Sequence, residues 1–358
     1  MPKLANEPNH QFPGVTTCYN PDTWQRHLSS CNLLTEYAEI PESLRNGFDA
    51  GVPTIMQTFT PPNHSSISLH PTHFNSIIDD ELAKGRYIGP LSHLEVERIV
   101  GPFQSSSLSV IPKPGKPEKF RLIQNLSSPH SPRNGISSIN SAIDSSLFPC
   151  TWGTFATISF LVFNLPINSQ AAVRDVKEAY RTIPVRPSQW AGLVVRLEGL
   201  DRFAIDTCNC FGLASSGGIY GRIGDVGAQL FRANGIGPVS KWVDDHVFFR
   251  IPRKHLEDYN RKRNGWAAKI FKNGGKHHKG GRIWYQGSTM LDGNPSEFDE
   301  DMLSIMRDLS SKSNRLETDM DYTYCMADID ALAEELGIPW EHSKDIDFAQ
   351  NFPYIGFL

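Results

Sequence analysis

At 358 residues, with 39% hydrophobic and 10% aromatic side chains, the chain can bury a sizeable core and form two or three subdomains, and its composition is that of a globular protein. Its most apolar run, Ile158 to Leu165, is far too short to span a bilayer, the stretch from Met1 to Phe12 lacks a signal-peptide core, and the six cysteines contain no Cys-x-x-Cys pair. These features predict an intracellular protein, in cytoplasm or nucleus, with reduced thiols and no membrane partner, while a net charge of −4 argues against a broad phosphate-binding surface.

In chain order, residues 1–73 are rich in Pro, Asn, His, Ser and Thr with little periodicity, which predicts a loosely ordered lead-in. From Phe74 the pattern turns helical, with Phe74, Ile77, Ile78 and Leu82 on one face and Gly85 placed to end the helix. Ser-His-Leu-Glu from Ser92 reads as a capping box opening a second helix. Ser107–Ile111, a turn through Pro112–Pro117 and Lys119–Ile123 predict a hairpin with a rigid basic tip. Thr151–Leu165 suits a buried helix ahead of a strand ending at Asp175. Beyond Phe211-Gly212-Leu213, Ile219, Ile223, Val226 and Leu230 recur at helical spacing, with Gly235 as the stop. This helix carries Gly218, Gly221, Gly224 and Gly227, each costing roughly 1 kcal/mol against alanine, so something should approach its backbone closely. Between Ile251 and Arg282, ten Lys or Arg stand against Glu257 and Asp258, whereas Ser296 to Asp347 is mostly acidic. A last helix is predicted from about Ala327 to Leu336, ending at Gly337, and the chain stops at Pro353–Leu358 partway through a predicted strand.

Asp244 and Asp245 lie side by side in the run Lys241–Phe249, between two short apolar stretches. Adjacent carboxylates repel, and in a partly buried turn one takes up a proton unless a cation neutralises the pair. The aromatic and β-branched flanks predict a hairpin with the aspartates at its turn. Asp175 offers a third carboxylate in a similar setting. Hard oxygen ligands shared between strands suit Mg²⁺, whose remaining positions substrate phosphates fill, and the chemistry this implies is phosphoryl or nucleotidyl transfer.

The order Asp175-x-x-x-Ala179-Tyr180, then Phe211-Gly212-Leu213 with small residues, then Asp244-Asp245, resembles the reverse transcriptases of retroelements, most closely those of fungal retrotransposons related to the Ty3/Gypsy and DIRS groups. The resemblance covers about Ile78 to Leu358 and is strongest between Val110 and Arg250. It implies an α+β right-hand polymerase built from an antiparallel sheet with packed helices: fingers over 74–170, palm over 171–250, a basic then acidic insertion over 251–330, and over 331–358 the last palm segment and the start of a primer grip, with the thumb absent or truncated.

In that family Asp175, Asp244 and Asp245 would be the catalytic ligands of two Mg²⁺ ions, with Mn²⁺ as an alternative, and Lys344 would protonate the leaving pyrophosphate. Lys113 and Arg121 match the residues gripping the dNTP triphosphate, Tyr180 the ring under the incoming sugar, and Phe211 and Gly212 the segment against the nascent base pair. Ser215, Ser216, Trp242 and Tyr354 match positions near template and primer. The sequence departs from the pattern at Gly217, where many relatives have proline, at Trp242, commonly tyrosine or phenylalanine, and at Asn125, where an aspartate is frequent. The implied partners are an RNA template, a DNA primer and dNTPs. Two other readings stand beside this one: a non-catalytic nucleic-acid-binding remnant of a retroelement, and a palm-fold RNA-dependent RNA polymerase, which would need room for a 2′-hydroxyl where Tyr180 stands.

Overall fold

The computed structural model describes residues 14–132, 135–149, 155–274, 276–278, 282–284, 305–312 and 315–356, so parts of the predicted lead-in, of the predicted insertion and of the chain's last strand lie outside the described residues. In chain order the elements are α1 (Pro21–Ser30), α2 (Glu39–Asn46), α3 (Ser66–Leu69), α4 (Pro71–Ala83), β1 (Tyr87–Leu91), α5 (His93–Val100), β2 (Ser105–Lys113), β3 (Lys116–Asn125), α6 (Phe155–Asn164), β4 (Gln170–Asp175), β5 (Val194–Arg196), β6 (Phe203–Asp206), α7 (Ser216–Ala233), β7 (Val239–Trp242), β8 (Asp245–Arg250), α8 (Leu256–Lys272), β9 (Lys276–His278), β10 (Arg282–Trp284), α9 (Met326–Leu336) and β11 (Ile346–Ala349). The fold is mixed α+β, and its strand pairs are antiparallel except for β2 with β5.

The chain divides into two compact units. Unit one takes the residues up to Thr17, Glu42–Phe148 and Tyr180–Ile219; unit two takes Cys18–Pro41, Pro149–Ala179 and Tyr220–Leu358.

Residues 14–73 correct the expectation of a loose lead-in. Helices α1 to α3 lie there, and Trp24, Leu28, Tyr37, Ile40 and Leu44 are fully buried. In unit two, α1 opens on Asn20, whose side-chain oxygen accepts from the Thr23 N–H at 3.1 Å, with Pro21 in the first turn. Trp24 and Leu28 form its buried face, and Trp24 Nε1 donates to the Leu336 carbonyl at the end of α9 at 2.8 Å. A stripe of two apolar residues is too short to register as periodicity, although the Asn-Pro start was a readable signal.

Unit one is built on a five-stranded sheet in the order β1-β6-β5-β2-β3. Its core joins Phe74 and Ile78 of α4 to Tyr87, Leu108, Val110, Val195 and Ala204 of the sheet. The predicted helices and hairpin are present: α4 runs into Gly85 at φ +69°, α5 opens on a complete Ser92–Glu95 capping box, and β2 pairs with β3 from Ser107↔Asn125 to Lys113↔Lys116.

Unit two holds a four-stranded sheet in the order β11-β4-β8-β7. Ala171, Val173, Val247 and Phe249 pack with Leu161 of α6 and with Tyr354. Helix α6 corrects the expectation of a fully buried helix: Leu161 is buried but Phe163 is 87% exposed, because only one side of this apolar segment meets the sheet. Its open side, with Phe155 and Val162, lines an apolar cavity of about 470 Å³ together with Phe352 and Ile355. β11, which the sequence did not announce, pairs with β4 through Ile346↔Val173 and Ala349↔Ala171.

Two of the five glycines of α7 are explained by close approach. A Cβ at Gly218 would collide with the Phe148 backbone carbonyl, and one at Gly224 would press on the Lys241 side chain at 3.1 Å, whereas Gly221 faces open space. Gly221→Ala should therefore stabilise the protein by up to about 1 kcal/mol through helix propensity, while Gly218→Ala should destabilise it despite the same propensity gain. Urea unfolding of the two variants checks this, and equal shifts of the same sign would contradict the packing.

Candidate active site

The sheet of unit two sets the site. β4 lies antiparallel to β8 with Asp175 opposite Asp245, and β7 pairs with β8 through Trp242↔Asp245, so Val243 and Asp244 form a two-residue turn. Asp175, Asp244 and Asp245 each offer a carboxylate oxygen, and these oxygens lie within 4.8 Å of one another. The sequence placed two of the three side by side; strand register adds the third.

The turn is strained and braced. Val243 has φ +53°, a left-handed conformation that β-branched residues rarely adopt and that costs on the order of 1–3 kcal/mol. The Asp244 carbonyl accepts from the Val176 N–H at 3.1 Å and from His246 Nδ1 at 3.0 Å, while Tyr354 Oη donates to the Asp245 carbonyl at 3.0 Å. Burial, helped by the nearby Lys241 charge, pushes the His246 pKa down to about 4, so its imidazole is neutral near pH 7, and a carbonyl partner requires the tautomer with the proton on Nδ1. This brace was missed in the sequence, although a histidine between the aspartates and the apolar run Val247–Phe249 was a signal.

Burial, together with the charge of Asp175, raises the Asp244 carboxyl above the ordinary carboxylate range. Burial and the charges of Asp244 and Asp175 push Asp245 up to about 6. Lys344 Nζ lies 2.9 Å from Asp175 Oδ2; burial would lower its pKa, but the bond to Asp175 and the other carboxylates outweigh that and raise it. Other nearby cations are engaged elsewhere. Arg174, the β4 neighbour of Asp175, pairs with Asp330 at 2.8 Å and with Asp345, and buried Lys241 pairs with Asp225 at 2.9 Å. One exposed ammonium against three carboxylates leaves net negative charge among hard oxygen donors, which fits a divalent cation and suits neither zinc thiolate chemistry nor a buried salt bridge.

Trp242, 39% exposed, ends β7 beside this cluster. The predicted site residues therefore gather in unit two as Asp175, Asp244, Asp245, Lys344, Trp242 and Tyr354. Part of the basic run is neutralised: Arg253 pairs with Asp308 at 2.7 Å, Arg261 with Asp258 at 2.8 Å, and Arg263 is buried.

Unit one holds the remaining predicted residues. Lys113 and Arg121 are exposed on the β2–β3 hairpin. Tyr180 and Phe211 form an aromatic pair with ring centroids 4.9 Å apart, and Phe211 stays 54% exposed. Arg181, next to Tyr180, is buried and bonds both Asp206 oxygens (2.9 and 2.8 Å) and Glu81 (2.6 Å), which anchors the ring's backbone. Gly212 has φ +107° and a Cβ there would lie 2.7 Å from the Gln124 carbonyl, so glycine is required. Ser215 and Ser216 are buried with their hydroxyls donating to the Ala50 and Cys210 carbonyls at 2.7 and 2.9 Å, which places them beneath the loop and not on its surface.

No protein-family model and no curated protein matches the chain. Among solved structures, the native protease-reverse transcriptase of prototype foamy virus is similar at 14% identity and a TM-score of 0.37, over 64% of this chain and 27% of the viral one. A foamy viral protease-reverse transcriptase in complex with an RNA/DNA hybrid is similar at 15% identity and a TM-score of 0.39, over 75% and 33%, and one in complex with dsDNA at 15% and 0.36, over 63% and 43%. The chain thus spans about a quarter to two fifths of the viral proteins. Likenesses at this level leave any functional reading to rest on the residues themselves. Among the described residues, no helix is long and apolar enough to cross a membrane.

The raised Asp245 pKa makes a stability statement with a definite sign. A carboxyl that titrates near 6 when folded and near 4 when unfolded contributes stability that is complete below pH about 4 and is lost as pH rises to about 6. In EDTA, Asp245→Asn should therefore be more stable than wild type at pH 7.5, by about 1 kcal/mol once solvent screening of a half-buried carboxyl is allowed for, and should lose that advantage at pH 4. Unfolding midpoints at the two pH values check this; an advantage that does not change with pH would contradict it.

Proposed function

We propose that the chain is an RNA-directed DNA polymerase, the reverse transcriptase of a retroelement related to the Ty3/Gypsy or DIRS groups. The observation that carries this reading is the convergence of Asp175, Asp244 and Asp245 within 4.8 Å on a strained hairpin turn and its neighbouring strand, in the motif order of that family. Three carboxylates with only one lysine against them also favour an enzyme over a non-catalytic remnant, which has no use for the repulsion.

Mg²⁺, with Mn²⁺ as the alternative, would be held by Asp175, Asp244 and Asp245, and when bound it supplies the positive charge that activates a primer 3′-hydroxyl and offsets charge on the departing pyrophosphate. The reaction forms a bond between the 3′-oxygen and the α-phosphorus and breaks the bond to the bridging oxygen of pyrophosphate. Lys344, held charged by its carboxylate neighbours, keeps a proton available for that leaving group. In unit one, Lys113 and Arg121 would grip the triphosphate as an ammonium and a bidentate guanidinium fork. The Tyr180 ring, braced by Phe211 and anchored through Arg181, would lie under the sugar and exclude a 2′-hydroxyl, which favours a DNA polymerase over an RNA polymerase. Trp242 and Tyr354 would face the primer end.

Primer extension on an RNA template with Mg²⁺ tests the reading. Asp244→Asn should lower the extension rate by at least about 10³, equivalent to roughly 4 kcal/mol of transition-state stabilisation, while the protein stays folded. Near-normal extension by the folded variant would remove the metal assignment.

Tyr180→Val should admit ribonucleotides, since shortening the side chain opens space beside the sugar C2′. The quantity to measure is the ratio of dNTP to rNTP incorporation efficiency. An unchanged ratio in an active variant would make Tyr180 a packing residue only.

A further inference from the structure

Unit one contains a junction that none of the motifs above includes. Asn140 follows the exit of β3, and its carboxamide is used in full. Nδ2 donates to the Gly212 carbonyl at 2.7 Å and to Ser127 Oγ at 2.9 Å, and Oδ1 accepts from the Ala214 N–H at 2.9 Å. Its own backbone N–H donates to the Leu126 carbonyl at 3.0 Å. Donor and acceptor roles at Gly212 and Ala214 fix the amide orientation, and no other side chain of this length offers both.

The consequence lies in what these contacts join. Leu126 and Ser127 continue β3, the strand that carries Arg121, and Gly212 and Ala214 continue the loop that carries Phe211, the partner of the Tyr180 ring. The same two segments meet a second time, where Gly212 lies so close to the Gln124 carbonyl that a Cβ would stand 2.7 Å from it. That close approach leaves no room for a side chain to fix the spacing from the glycine side, so the spacing depends on a group reaching across from the β3 side. Asn140 is that group.

We propose that Asn140 is a positioning residue that sets the spacing between the Arg121 strand and the Phe211–Tyr180 platform, and thereby the fit of the incoming nucleotide between phosphate grip and sugar platform. This rests on the polymerase reading. Its hydrogen-bond partners are Ser127, Gly212, Ala214 and Leu126, none of them a proposed metal ligand, so it acts through the loop it holds. A displacement of about 1 Å in a positioned group is enough to reduce rate 10²-fold, so loosening this loop has a measurable effect on nucleotide use.

The test uses the full chain with Asn140→Ala and Asn140→Asp. The aspartate keeps the acceptor for the Ala214 N–H but loses both donors and sets a charge against the Gly212 carbonyl. For both variants we expect KM for dNTP to rise at least about 10-fold with a smaller change in kcat, and the dNTP-to-rNTP preference to fall. Amide exchange at Ala214 should accelerate in Asn140→Ala and much less in Asn140→Asp. Ser127→Ala, which removes one arm of the brace, should give a smaller change in the same direction and serves if both asparagine variants fail to fold. Wild-type extension combined with unaltered KM and sugar preference in a folded Asn140 variant would overturn the inference while leaving the polymerase reading intact. A wild-type chain that binds divalent cation but does not incorporate nucleotide under any primer-template condition would instead overturn that reading, and the positioning role with it.

Discussion

Mutual repulsion among Asp175, Asp244 and Asp245 is the constraint around which the structure is organised. Nothing in the packing of unit two benefits from three carboxylates within 4.8 Å, two of them held above the ordinary carboxylate range. They are kept together by backbone register: β4 and β8 are locked by continuous pairing from Gln170↔Arg250 to Asp175↔Asp245, and a slip of one strand by one residue would move Ala171 and Val173, or Val247 and Phe249, off the face that packs on Leu161 and Tyr354. The hydrophobic core of unit two therefore enforces an electrostatically unfavourable cluster, and the strained Val243 turn completes it. Strain and repulsion gathered at one edge of a sheet support the catalytic role proposed for these residues.

The surroundings leave most of that charge uncompensated. β-strand alternation sends Arg174 and Lys241 to the other side of the sheet from the aspartates, where each meets an acidic partner of its own. Lys344 alone offsets the cluster among the cations described above, and it is exposed enough to exchange partners. A buried guanidinium in its place would satisfy Asp175 permanently and would leave no ligand for an ion.

Unit one shows the complementary arrangement, in which buried and half-buried groups serve an exposed surface. Arg181, Ser215, Ser216 and Asn140 bond to backbone and carboxylates beneath or beside the loop, so that Tyr180 and Phe211 can stand partly in solvent without collapsing. An aromatic pair held open to water in this way needs rigid support, since burying it would otherwise be favoured by the hydrophobic effect. The chain as a whole is acidic, with a net charge of −4, and within its basic run Arg253 and Arg261 are paired with Asp308 and Asp258 while Arg263 is buried.

Local signals were legible in the sequence wherever a few neighbouring residues dictate the outcome: the Ser92 capping box, the Gly85 and Gly337 helix stops, the β2–β3 hairpin and the Asp244-Asp245 turn all depend on short-range sterics and hydrogen bonds. The helices of residues 14–73 were not legible, because their apolar stripes are short and acquire meaning only against distant partners such as α9. Nor were the one-sided packing of α6, the pairing of β11 with β4, the inward turn of Ser215 and Ser216, or Asn140 bridging Ser127 to Gly212 and Ala214. By itself the sequence determined which residue types were available for hard-metal chemistry and on which turn two of them sit. Only the tertiary structure decided that Asp175 and Lys344 join them, since contacts between residues 70 and 169 positions apart are set by strand register and core packing, which no local pattern encodes.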